Sequence, residues 1–174
     1  MQPVIQTLAL SIPILFALTS KQKSAILIGI IYFLIYILSS FASRRAGKLK
    51  DKLESVEKAL NVTMLIGFLL AFFSGIFFHY GFYFVSVIFY ISIYLIENIR
   101  NPIGVAYVSE LYQDKILATA LSTNSQAKSL LAAIVAPILG FLADNFGIGI
   151  SLSVVAITII ISTPLIWTKK RKLT

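Results

Sequence analysis

The sequence predicts an all-α integral membrane protein, and three observations carry that prediction. Of 174 residues, 58% are hydrophobic and 13% charged, with a mean hydropathy of +0.90, far from the soluble average of about half apolar and a quarter charged. The apolar residues fall into six runs, and a helix rising about 1.5 Å per residue crosses a hydrocarbon core of about 30 Å in roughly 20 residues. Most charged residues lie between those runs.

The expected spans are about 1–19, 24–43, 60–78, 82–111, 116–142 and 148–168, forming one transmembrane domain with a loop at 44–59 and a basic tail at 169–174. Fifteen basic against seven acidic residues give +8, which on a soluble chain would direct attention to nucleic acid. Placed between apolar runs, the charges are a topology signal, and the expected partner is the lipid bilayer rather than nucleic acid. Cysteine is absent, which excludes disulfides and thiolate chemistry. The single histidine, His79, has no ligand-type neighbours in sequence. With no nucleophile motif or paired carboxylates either, no enzyme activity, metal or cofactor is expected.

The first run opens without the basic region of a signal peptide and reads as a membrane helix. Gln2 and Gln6 form a polar stripe one turn apart, and Pro13 bends or breaks the helix. Because a span starts at Met1 with no preceding loop, sequence is expected to be missing upstream. Span 24–43 carries Tyr32 and Tyr36 on one face. The charged loop after it suits an interfacial helix with Leu49, Leu53 and Val56 as apolar positions and Glu54–Lys58 as an i,i+4 pair. After span 60–78, His79-Tyr80-Gly81 makes a tight turn.

Span 82–111 cannot shed its charges. Glu97-Asn98-Ile99-Arg100-Asn101-Pro102 interrupts an apolar run that resumes at Ile103. Tyr83, Ser86, Tyr90, Tyr94, Glu97 and Asn101 fall on one helical stripe. Two readings stay open: Glu97 and Arg100 lie inside the membrane as a functional site, or the helix stops near Ile96 and the pair is interfacial. Span 116–142 carries a stripe of small residues, Ala118, Ser122, Ser125, Ser129, Ala132, Ala136 and Gly140, which permits close approach of another membrane helix. Lys128 lies off that stripe, and it either faces the interior or snorkels to the headgroups. The last span ends at Trp167 as an interfacial anchor, followed by Lys169-Lys170-Arg171-Lys172.

Six spans put both termini on one side. Arg44, Arg45, Lys48, Lys50, Lys52, Lys58, Arg100, Lys115 and the four basic tail residues share a face, twelve in all or eleven if Arg100 is intramembrane, against Lys21 and Lys23 on the other, with Lys128 inside a span. Such asymmetry predicts a multi-pass plasma-membrane protein with cytoplasmic termini. Segments 40–47 and 140–147 can be superposed on Phe41/Phe141 and Gly47/Gly147 in triplets of opposite orientation, a hint of a 3+3 inverted repeat.

From Arg100 onward the chain resembles the second half of major facilitator superfamily transporters. Arg100 and Pro102, Glu110, Ala118-Thr119-Ala120-Leu121-Ser122, then Pro137, Gly140, Ala143, Asp144 and Gly147 carry the resemblance. Arg45, Gly47 and Lys48 match the family's cytoplasmic loop motif. Leu117 stands where the family has Arg, Ser40 where it has Gly and Arg44 where it has Asp, so those contacts do not carry over. The resemblance implies helices seven to twelve of a twelve-helix transporter working by alternating access. It also implies a cavity lined by the first helix of each triplet, here the spans holding Gln2, Gln6, Tyr90, Tyr94, Glu97, Arg100 and Asn101, with Lys128 as a further candidate. The expected function is secondary transport of a small solute, with a proton or cation as coupling ion. The expected partner is a separately encoded or missing N-terminal half, or a second copy. The alternative is a non-transporting fragment or helix-packing scaffold.

Overall fold

The computed structural model describes residues 20–53, 55–112 and 114–167. The first span, with Gln2 and Gln6, and the basic tail lie outside the described residues. All described elements are helices: α1 (Ser20–Arg44), α2 (Ala46–Lys52), α3 (Val56–His79), α4 (Tyr83–Leu111), α5 (Asp114–Phe146) and α6 (Ile148–Ile166). Val56–His79, Tyr83–Leu111 and Lys115–Phe146 are long and apolar enough to cross a membrane, and Ile28–Arg44 and Ile148–Pro164 are shorter apolar segments. Large apolar side chains such as Phe33, Phe84, Phe141 and Ile161 face outward. That is the surface of a membrane protein, since lipid, unlike water, solvates apolar groups without penalty.

Helix α3 is the centre of the bundle, with α4 and α6 packed along it; α1 lies on α4, while α5 leans on α6 and touches α4. Its N-terminus is capped by Ser55, whose hydroxyl accepts the Lys58 N–H at 3.2 Å. Its C-terminus closes with Gly81 at φ +81°, the Phe82 N–H reaching the Phe77 carbonyl at 2.9 Å and the Gly81 N–H the Phe78 carbonyl at 3.2 Å. This is the paired-bond ending that a left-handed glycine makes available. The α5–α6 break also falls on a positive-φ glycine, Gly147 at φ +82°, whose N–H reaches the Ala143 carbonyl at 2.9 Å.

Loop 44–59 differs from expectation. It holds α2, not one helix through Val56, because the Ser55 cap starts α3 there. Glu54 lies outside the described residues. Ala46, Val56, Ala59, Leu60 and Ile103 form a small core that pins α2 to the bundle, with Leu53 packed against it.

Close packing concentrates between α3 and its two neighbours. Ser74 and Ser86, each 1% exposed, donate to one another's backbone carbonyls at 3.0 and 2.8 Å, joining α3 to α4. On the α6 side, a Cβ on Gly75 would stand 2.5 Å from the Gly149 carbonyl oxygen, and one on Gly149 would stand 2.7 Å from the Gly75 carbonyl oxygen. The two backbones touch there, as small residues allow.

Candidate functional site

Helix α4 runs unbroken for 29 residues and Glu97 is its middle residue. It does not end near Ile96: it continues through Pro102, whose missing N–H leaves the Asn98 carbonyl without its helical donor. A freed carbonyl thus stands among Glu97, Arg100 and Asn101.

Two cavities meet at that turn. One, of about 250 Å³, lies between α3 and α4 and is walled by Thr63, Met64, Gly67 and Phe68 on one side and Ile93, Ile96, Glu97 and Arg100 on the other. The second, of about 440 Å³, is bordered by Glu97, Arg100, Asn101, Gly104, Tyr107 and Val108 of α4, by Asn124 and Lys128 of α5, and by Leu60 of α3. Glu97 and Arg100 line both. Lys128 Nζ donates to Asn101 Oδ1 at 3.4 Å, so the two helices meet through polar groups near their midpoints.

The structure therefore brings together Glu97, Arg100, Asn101 and Lys128. The Tyr90 and Tyr94 rings lie 5.6 Å apart, and Tyr94 packs against the Ile31, Ile35 and Val87 cluster that joins α4 to α1. Tyr32 and Tyr36 stack at 6.3 Å on α1. Ser86 belongs to the α3 contact instead, so the polar stripe of α4 meets more than one environment.

Ser39 and Asn98 were not singled out by the sequence. The Asn98 amide donates to Ser39 Oγ at 3.1 Å and to the Tyr94 carbonyl at 2.8 Å, tying α1 to the charged turn of α4. The signal available was an asparagine inside an apolar span with a serine in the neighbouring one.

Ser122, Ser125, Ser129, Ala132, Ala136 and Gly140 are all exposed along α5, and nothing lies within 4 Å of a Cβ built on Gly140. Arg45, Gly47 and Lys48 are also exposed, around the α1–α2 turn where the Arg45 N–H reaches the Ala42 carbonyl at 3.0 Å. Among the described residues no group of three or more His, Cys, Asp or Glu side chains could hold a metal ion.

Comparison with protein-family models, with curated proteins and with solved structures finds no match.

Proposed function

We propose that this chain is a six-helix half of a secondary transporter, with the first span completing a 3+3 bundle and a small solute bound beside Glu97 and Arg100. The observation that carries the reading is the unbroken course of α4 through its charged turn. A 29-residue helix is about 43 Å long against a hydrocarbon core of about 30 Å, so a centred α4 holds Glu97 at the midplane. Charge there costs roughly 3 kcal/mol or more on insertion scales and is retained where it faces a polar cavity. Transporters of the inverted-repeat kind bind substrate at that depth.

In this reading Glu97 accepts a proton or cation or acts as a gate, and Arg100 is its ion-pair partner or anchors an anionic group. The tyrosines make an amphipathic wall. The loop charges orient the bundle in the plasma membrane with the α1–α2 turn and both termini cytoplasmic. A second bundle, encoded separately or supplied by a second copy, covers the exposed face of α5, and the two rock about the shared site.

Reconstitution into liposomes with a panel of labelled solutes, with and without a proton gradient, tests the proposal. Saturable uptake is expected from an assembly of two bundles and from none in which Glu97→Gln has been made. Absence of saturable uptake from every assembly contradicts it. The exposed small-residue stripe of α5 also favours a scaffold that binds a partner helix, which would capture that helix without uptake.

A further inference from the structure

The larger cavity has a definite charge. Arg100 keeps its charge at any accessible pH, because guanidinium does not deprotonate in proteins. Lys128 brings a second cation to the same wall, and Glu97 brings one carboxylate. With all three ionised the wall is cationic by one charge, and its other polar groups, Asn101, Asn124 and Tyr107, are neutral.

Lys128 gives a donor to a neutral amide oxygen at 3.4 Å, the long end of the hydrogen-bond range. A carboxylate would accept the same donor at about 2.7–2.9 Å and bind it roughly twice as strongly. The Arg100 guanidinium presents a planar fork that matches a carboxylate through two parallel bonds. Leu60, Gly104 and Val108 make part of the remaining wall apolar, which suits a hydrocarbon body better than a hydrated inorganic ion.

We infer that this cavity binds a small organic monocarboxylate, its carboxylate between Arg100 and Lys128 and its hydrocarbon part against Leu60 and Val108. The inference rests on reading the cavity as a solute site. Binding moves Lys128 from Asn101 to the ligand and draws α5 toward α4.

The test uses the full chain in lipid nanodiscs, followed by thermal unfolding and calorimetric titration. The probes are acetate, lactate and benzoate, with benzamide and benzylamine as neutral and cationic counterparts of benzoate, and inorganic phosphate. At least one carboxylate should bind saturably and raise the unfolding temperature, while benzamide, benzylamine and phosphate should not. Lys128→Gln should weaken carboxylate binding about tenfold or more, as expected for a lost hydrogen bond to a charged group. Arg100→Lys should do the same, because it keeps the charge and loses the fork. Lys115→Gln, exposed and outside the cavity wall, should change nothing.

No carboxylate binding at millimolar concentration overturns the inference. So does equal binding of benzamide, binding of phosphate alone, or carboxylate binding indifferent to Lys128→Gln. If Arg100→Lys fails to fold, the exposed Lys128 variant decides. Carboxylate binding without uptake by any assembly would refute the transporter and leave the ligand class standing. Uptake of neutral solutes alone would do the reverse.

Discussion

Replacing Gly75 by alanine should separate α3 from α6. The added methyl would stand 2.5 Å from the Gly149 carbonyl oxygen and 2.9 Å from the Ser153 amide nitrogen, and would also strike the Ser153 hydroxyl. The hydroxyl cannot swing aside freely, since it donates to the Gly149 carbonyl at 3.0 Å and lies 3.3 Å from the Phe72 carbonyl. The other two obstacles are backbone, so relief requires moving a helix. Overpacking of this kind costs about 1–3 kcal/mol, offset in part by the roughly 0.5–1 kcal/mol that alanine gains over glycine inside a helix. Gly67→Ala is the internal control: its methyl meets only Ile96 Cγ2 at 3.8 Å, ordinary contact, so the helix-propensity gain should remain. Unfolding of the purified chain in mixed micelles with increasing denaturing detergent measures both. Gly75→Ala should unfold at lower detergent and Gly67→Ala at equal or higher. Gly149→Ala should resemble Gly75→Ala, and the double variant should cost less than the sum, because one separation relieves both clashes. A Gly75→Ala protein as stable as the parent would refute the α3–α6 contact.

Ser74→Ala and Ser86→Ala should each cost about 0.6–2 kcal/mol and nearly add, since each hydroxyl donates to the other residue's backbone carbonyl, which survives substitution. A coupling larger than either single loss in the same unfolding assay would mean that the 3.2 Å hydroxyl–hydroxyl contact dominates instead. For Glu97 and Arg100, a double-mutant cycle of Glu97→Gln and Arg100→Gln on folded yield should show the double variant less damaged than the sum. Removing one member of a desolvated pair strands the other charge, whereas exposed pairs are worth about 0–1 kcal/mol. Simple additivity would place the pair in water.

The helices were legible because their ends are punctuated: Gly81 and the polar residues from Tyr112 bound α4, and both limits agree with the sequence to within a residue. Within 44–59 the helix was legible but its end was not, because the Ser55 cap assigns Val56 to the next helix. The charged turn was legible too, since Glu97, Arg100 and Asn101 interrupt an apolar run, and Lys128 does the same in the next helix. Their meeting was not, because helical spacing orders residues on one helix and says nothing of which neighbour a face meets. The small residues make the same point. The long stripe on α5 remains exposed, while the tight contacts fall on Gly75, Gly149 and Ser153, which lie in apolar helices without a conspicuous stripe. A run of small residues permits close approach; which helix takes it up is decided by the whole bundle.

The proposed function requires the polar cavity between α4 and α5 to be open to water at mid-membrane. The chain has no native cysteine, so single cysteines at Asn101, Lys128, Val105 and Leu130 can be compared directly for reaction with a membrane-impermeant thiol reagent in proteoliposomes. Asn101→Cys and Lys128→Cys should react at rates well above Leu130→Cys and Val105→Cys, which replace exposed apolar side chains. Equal protection of all four positions, or faster labelling at Leu130 than at Lys128, would contradict the site.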